Sequence, residues 1–299
     1  GKPSTIQLQK RFMVNSARAT AHYFDLHKNT SALMCLSPDY IAGKMMLVRA
    51  MASGWNLDIV KPSSNPLDHT KSNYDFCAMV PLQLRNSLSR LHRIKKLIVG
   101  GAAVTDDLIG ELQNIKTEVF ATYGMTETIT HIAIKPLTGF SSAELVSAPN
   151  YKILPDVKVK TDSRGCLVIN APKISENPII TNDIVELISE TEFKWLGRYD
   201  NVINSGGIKL IPEQIEKKLS MVISNRFFVA GVADETLGQK LVLVIESENS
   251  DHVISNKVRN LNTLKKFEVP KEIYFIEQFI ETESKKIQRQ QTLDLIMKN

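Results

Sequence analysis

The chain has 299 residues, 43% of them hydrophobic and 23% charged, with a formal net charge of +5. That is the composition of a soluble globular protein, long enough for one large or two ordinary domains with real cores. No apolar run reaches membrane-spanning length, and the densest basic runs, Arg93 to Lys96 and Lys285-Lys286, are too short for a nucleic-acid surface.

Taken in chain order, Phe12 to Leu26 has amphipathic helical spacing, with Phe12, Ala19 and Phe24 among polar neighbours. Ser31 to Leu36 predicts a buried strand, and Pro38 to Gly43 turns into a helix that runs to about Ser53. Leu57 to Val60 predicts a strand, and Tyr74 to Leu91 a loop and helix. Lys96 to Val99 predicts a strand running into Gly100-Gly101, Asp106 to Gln113 a helix, and Glu118 to Thr122 a strand. This alternation of strands and helices up to about residue 125 argues a mainly parallel α/β sheet.

From about Ser147 the texture changes. Val157 to Lys160 and Cys166 to Ile169 flank a turn at Asp162 to Gly165, and Ile184 to Leu187 and Phe193 to Trp195 form another strand pair. This meander predicts a small β subdomain attached to the large domain. A compact α+β region follows. Pro212 stands at a favoured first helical position, with Ile211, Ile215 and Leu219 as one apolar stripe. Phe227 to Ala230 and Lys240 to Ile245 flank a hairpin-like loop at Asp234 to Gly238. Val253 to Lys266 reads as a helix and Ile273 to Ile276 as a last strand. The expected domains are residues 1–199 and 200–299. The cysteines, Cys35, Cys77 and Cys166, lie far apart and read as reduced thiols of a cytoplasmic protein.

Several short segments carry chemistry. In Tyr123-Gly-Met-Thr-Glu127 a strand end brings together a flat ring able to stack on a base, a close-approach glycine (Gly124), a hydroxyl (Thr126) and a carboxylate (Glu127). Glu127 is a hard oxygen ligand suited to Mg²⁺. The plainer alternative is a turn in which Thr126 and Glu127 cap a helix. Gly100, Gly101 and Ala102 sit at the carboxyl end of a strand, where parallel α/β sheets bind ligands; a flexible turn is the alternative. Asp183, in Thr181-Asn-Asp183, has two oxygens for two donors, against the alternative of an Asx turn. The six histidines show no metal spacing, and His131 reads as packed or exposed rather than as a ligand.

Two further blocks complete the pattern: Gly197-Arg-Tyr-Asp200 followed by Asn204 to Glu213, and Glu283 to Arg289 with Lys285-Lys286. In this order and at these distances, the segments resemble the adenylate-forming acyl-CoA and aryl-CoA ligases over essentially the whole chain. The resemblance implies an α/β large domain followed by a small α+β lid domain. It also implies a two-step reaction in which a carboxylate attacks Mg·ATP and coenzyme A then takes the acyl group. Gly100, Gly101, Ala102, Tyr123, Gly124, Asp183 and Arg198 would bind the nucleotide. Thr126, Glu127 and Lys286 would be catalytic, Glu127 would hold Mg²⁺, Asp200 would be the hinge, and Gly206 and Gly207 would line the coenzyme A channel. Asn182 and Lys285 each replace a glycine of the family pattern.

Leu36 to Arg49 looks most like the short bacterial o-succinylbenzoate-CoA ligases, in which an arginine at the place of Arg49 meets the second carboxylate of an aromatic acid. Tyr40 would take the packing role of a family histidine. A surface arginine on a helix is the alternative. The family's phosphate loop ends in Gly-Lys-Pro or similar, so a chain beginning Gly1-Lys2-Pro3 would start inside it. The expected activity is o-succinylbenzoate activation in menaquinone biosynthesis. The alternatives are another aryl- or acyl-CoA ligase, or a truncated, non-catalytic nucleotide-binding protein. The expected partners are small molecules, with no nucleic acid or membrane, and a homodimer stays open.

Overall fold

The computed structural model describes residues 6–140, 149–249, 252–282 and 287–298. The chain divides into two compact units. Gly1–Asp162, Leu167–Thr181 and Leu187–Lys194 form the first, and Ser163–Cys166, Asn182–Glu186 and Trp195–Asn299 form the second.

The first unit begins with α1 (Lys10–Tyr23), β1 (Ser31–Met34), α2 (Ile41–Ser53), β2 (Asn56–Ile59), β3 (Tyr74–Met79), α3 (Pro81–Ser87), β4 (Ile94–Val99), α4 (Asp106–Leu112) and β5 (Glu118–Gly124). β1 pairs in parallel with β2 and β3, β3 with β4, and β4 with β5. Helices cover both faces. Leu33, Cys77, Leu97 and Val119 pack with Leu84 and Leu108 on one side. Ala32, Phe76 and Ile98 pack with Ala21, Phe24 and Met46 on the other. Burial on both faces explains why these strands read as near-continuous apolar runs.

The sheet then changes direction. β6 (His131–Pro136) pairs antiparallel with β5, and β7 (Tyr151–Ile153) antiparallel with β6. The meander consists of β8 (Lys158–Thr161), β9 (Cys166–Asn170), β10 (Ile179–Ser189) and β11 (Glu192–Arg198). It is not detached: β11 pairs with β7, so among the described residues one sheet runs β2-β1-β3-β4-β5-β6-β7-β11-β10-β9-β8.

The second unit contains β12 (Ile203–Ser205), β13 (Ile208–Leu210), α5 (Pro212–Leu219), β14 (Phe227–Asp234), β15 (Gly238–Glu246), α6 (His252–Arg259), β16 (Glu272–Ile276) and α7 (Arg289–Lys298). β14 and β15 form the expected hairpin, whose loop is tied by Asp234 Oδ1 accepting from the Thr236 and Leu237 amides. The α5 stripe packs through Ile215 and Leu219 against Val229, Leu241 and Leu243. Phe228, Val242 and Val244 pack with Phe279 and Leu293 in a second cluster.

Three expectations need correction. Tyr74 to Met79 is a strand rather than loop and helix. It is buried on both faces and so shows no alternation, while Asp75 interrupts its apolar run. Asp75 is satisfied locally, accepting from the Ser31 amide and hydroxyl and from Lys95. The helix expected to Lys266 ends at Arg259. Finally, β6, β7 and α7 are further elements that the periodicity did not single out.

Candidate active site

In the first unit, two of the sequence-predicted segments meet at the carboxyl ends of neighbouring parallel strands. β4 ends at Val99, opposite Ala121 of β5, so Gly100, Gly101 and Ala102 leave the sheet beside Tyr123 and Gly124. The Gly100 amide donates to Met79 O (3.2 Å), and Thr122 Oγ1 donates to Val99 O (3.1 Å). The Tyr123 ring stands edge-on to Phe193 (centroids 5.2 Å apart) and to Tyr151 (5.9 Å), and this fixes its plane. Burial pushes the Tyr151 hydroxyl up to about 12.

Gly124 is required by its neighbours. A β-carbon there would lie 2.3 Å from Thr130 O and 2.6 Å from His131 Cα, so only glycine lets β5 and β6 close around the connection. In that connection Thr126–Thr128 forms a 3₁₀ turn rather than a capped α-helix. Thr128 Oγ1 accepts from the Met125 amide (2.9 Å) and lies 2.6 Å from Thr130 O. Ile129, fully buried, has φ 65° and ψ -54°, the centre of a γ-turn closed by the Thr130 amide on Thr128 O (2.7 Å), a positive-φ conformation that is costly for a β-branched residue. Thr126 is half-buried and Glu127 exposed. A lone exposed carboxylate suits an ion that keeps its other contacts to water and phosphate, as Mg²⁺ does. Among the described residues, no three His, Cys, Asp or Glu side chains are grouped to hold a metal by themselves.

Arg49 joins the same corner. It is not a surface arginine: it is 1% exposed, and its Nη2 donates to Thr130 Oγ1 at 3.0 Å. Its Nη1 faces Met46 Sδ at 3.6 Å, and its Nε is buried without a partner among the described residues. Burial pulls its pKa down to about 10, so it stays cationic at neutral pH. Beyond Thr130 lies His131, 3% exposed, whose Nδ1 is 3.2 Å from Thr130 Oγ1 and whose Nε2 is 3.5 Å from Thr20 Oγ1. Burial, with Arg49 nearby, pulls this imidazole down to about 3, and the ring is neutral. Tyr40 precedes α2 with its ring mostly in solvent, so it does not fill the packing place expected of it.

In the second unit, Asp183 is 6% exposed and accepts from Trp195 Nε1 at 3.2 Å, while Arg198 Nη1 lies 3.5 Å away. Arg198 Nη2 donates to Asp200 Oδ2 at 2.9 Å. Asn182, where the family pattern has glycine, donates through Nδ2 to both Asp200 oxygens (3.1 and 3.3 Å) and accepts from Arg164 Nη1 (2.8 Å). Gly206 and Gly207 form the two-residue turn between β12 and β13, with φ 57° and 81°. Positive φ at both central positions is the hairpin turn that favours glycine, so the fold alone accounts for the pair.

Lys285 and Lys286 lie outside the described residues, as do Gly1, Lys2 and Pro3. The flanks of the lysine segment are held by a bridge between Glu281 and Ile287 and by Arg289 Nη2 donating to Glu216 at 3.0 Å. Sequence reasoning passed over Thr130; it read His131 as packed or exposed, and the structure has it packed. The available signal was the apolar run Ile132-Ala-Ile134, which marks a buried strand beginning at His131.

No protein-family model matches the chain. Among solved structures, an acyl-CoA synthetase (AMP-forming)/AMP-acid ligase II-like protein from Dyadobacter fermentans is 36% identical, with a TM-score of 0.63. That match covers 99% of this chain and 87% of the other. O-succinylbenzoate coenzyme A synthetase from Bacillus subtilis, solved with ATP and magnesium ion, shares the fold at TM-score 0.82 and 20% identity, over 98% of this chain and 68% of its own. Among curated proteins, a 2-succinylbenzoate–CoA ligase of Staphylococcus epidermidis is 24% identical over 92% of this chain and 63% of its own length. One from Geobacillus is 23% identical, over 95% and 64%. The chain therefore spans less than two thirds of these curated relatives.

The fold and the corner around Tyr123 to Glu127 define a large mixed α/β sheet domain with a smaller α+β domain. The chain belongs to the adenylate-forming ligase superfamily.

Proposed function

We propose that the chain is an AMP-forming acid–thiol ligase that converts an aromatic dicarboxylic acid, o-succinylbenzoate, to its coenzyme A thioester, a step of menaquinone biosynthesis. Family membership supports the reaction class. The names of the curated relatives support the substrate. The observation that carries the substrate is Arg49, a buried guanidinium beside the Tyr123–Glu127 connection with no carboxylate partner among the described residues. Burying a charge without a counter-ion is costly. A second carboxylate on the substrate would relieve that cost by taking two parallel N–H donors.

In the first step a substrate carboxylate oxygen attacks the α-phosphorus of ATP. An O–P bond forms, the bond to pyrophosphate breaks, and pyrophosphate leaves; Mg²⁺, when bound, would offset phosphate charge. Glu127 would hold the ion and Thr126 donate to a phosphate oxygen. Gly100 to Ala102 and Tyr123 would take the adenine, Asp183 the ribose hydroxyls, and Arg198 ribose or phosphate. Lys286 would offset the negative charge that builds as the oxygen attacks. In the second step the thiol of coenzyme A attacks the acyl carbon, the thioester bond forms and AMP leaves. Asp200 would be the pivot of the lid between the steps, and Gly206-Gly207 would border the path of the thiol.

The test is pyrophosphate release with o-succinylbenzoate and with benzoate-type monocarboxylic acids, for the native protein and Arg49→Ala. The native protein should prefer the dicarboxylic acid, and Arg49→Ala should lose that preference by about 2–5 kcal/mol, the usual cost of stripping a partner from a buried charge pair. Equal losses for both acids would make Arg49 structural and overturn the substrate assignment.

A further inference from the structure

We propose that Thr130 and His131 are positioning residues for Arg49, and that the buried chain Arg49–Thr130–His131–Thr20 selects the acid by holding the guanidinium in one orientation without neutralising it. This inference rests on the reading of Arg49 as the acid-binding residue.

The argument is one of hydrogen-bond direction. A guanidinium only donates, so at 3.0 Å Thr130 Oγ1 must accept from Arg49 Nη2. Thr20 Oγ1 spends its hydrogen on Ser16 O, 3.0 Å away inside α1, so it accepts from His131 Nε2 at 3.5 Å. On a neutral ring Nδ1 is then left to accept the Thr130 hydrogen, 3.2 Å away. The backbone carbonyl of Ser16, which can only accept, sets the polarity from one end and the guanidinium, which can only donate, from the other.

No member of this chain carries a negative charge. A structural arginine at this depth is expected to meet a carboxylate. Arg49 instead meets one hydroxyl and one thioether, and its Nε is unpartnered among the described residues. Among the described residues the guanidinium is therefore oriented and still unpaired, the state that an anionic ligand requires. Gly124 belongs to the same device, because its missing side chain admits the Thr130 carbonyl and the His131 backbone.

The experiment compares KM and kcat for o-succinylbenzoate and for a monocarboxylic analogue in the full chain and its variants. Thr130→Val and His131→Leu should raise KM for the dicarboxylic acid by about 3- to 10-fold, the worth of one hydrogen bond, with kcat and the analogue's KM little changed. Thr130→Ser keeps the hydroxyl, and His131→Asn keeps an acceptor at the place of Nδ1; both should restore the native KM. AMP binding by calorimetry reports that each variant is folded. Should Thr130→Val fail that check, Thr130→Ala removes the hydroxyl without filling its space and replaces it. If Arg49→Ala is selective for the dicarboxylic acid while the Thr130 and His131 variants are not, the positioning role is overturned. If Arg49→Ala is itself unselective, the acid-binding reading beneath it fails, and the inference with it.

Discussion

Arg49 and Arg198 are the same side chain in opposite electrostatic circumstances. Arg49 is sealed in the first unit with a hydroxyl and a thioether for company, and burial lowers its pKa to about 10. Arg198, in the second unit, is partly exposed and flanked by Asp183 and Asp200. Burial also pulls Arg198 down, but the bond to Asp200 and the charge of Asp183 outweigh it, and its pKa is raised. Among the described residues the first arginine lacks an anion; the second has two. A ligand that meets Arg49 supplies what is missing, whereas one that meets Arg198 must share it with acids already in place. Affinity is expected from the former and exchange of partners from the latter.

The largest expected effect belongs to a third cation, against which both arginines are to be scaled. Lys286→Ala should slow adenylation by about 10²–10³, the usual cost of removing one preorganised charge contact, with Lys285→Ala as a milder control. Pyrophosphate exchange measures it, and near-native rates in Lys286→Ala would remove that residue from the mechanism.

Replacing a buried charge by an apolar side chain of similar reach tests the comparison on stability. Arg49→Met should leave the fold as stable or more stable, by up to ~1–4 kcal/mol, because no ion pair among the described residues is lost and a desolvated charge is removed. Arg198→Met should cost ~1 kcal/mol or less, as partly exposed pairs do. Urea unfolding of both variants decides it; a clearly destabilised Arg49→Met would mean that the guanidinium holds the core together.

The neutral His131 gives a pH signature. Its folded pKa, about 3, lies below the ordinary histidine value near 6.5, so the unfolded chain binds the extra proton first as pH falls. Stability should therefore fall through the window from about pH 6.5 down towards 3, by at most ~1.4 kcal/mol per pH unit from this group. His131→Asn should flatten that slope relative to the native protein. Parallel slopes would show that His131 titrates freely.

The smallest effect is expected at Asn182. Asn182→Gly restores the family residue and releases Asp200 and Arg164, all near the surface, so it should cost less than ~1 kcal/mol. A double-mutant cycle with Asp200→Asn reads the coupling directly; zero coupling would mean that Asn182 does not brace Asp200.

Much of this arrangement was legible because it is local. Gly100-Gly101, Tyr123 to Glu127 and the Asp234 loop announce themselves through turn chemistry, and the Pro212 stripe through its period. The burial of Arg49 was not legible, since one arginine on a mostly apolar helix has the same spacing whether it faces solvent or the sheet. The partnership of Arg49 with Thr130 and His131 spans some eighty residues and depends on β6 turning antiparallel beside β5. No periodicity encodes that turn. β3 escaped for a related reason: a strand covered on both faces loses the alternation that identifies strands.

Ile129 gives the connection between β5 and β6 a mechanical character. A buried, branched residue held at φ 65° costs on the order of 1–3 kcal/mol, and Thr128 and Thr130 hold the backbone around it. Such a loop stores strain at one residue, which its neighbours must hold in place. Ile129→Gly would remove the strain and leave a more flexible connection. Thr126 and Glu127 are thus carried on a segment whose shape is set by hydrogen bonds around it, Ile129 N to Thr126 O and Thr128 Oγ1 to Thr130 O among them.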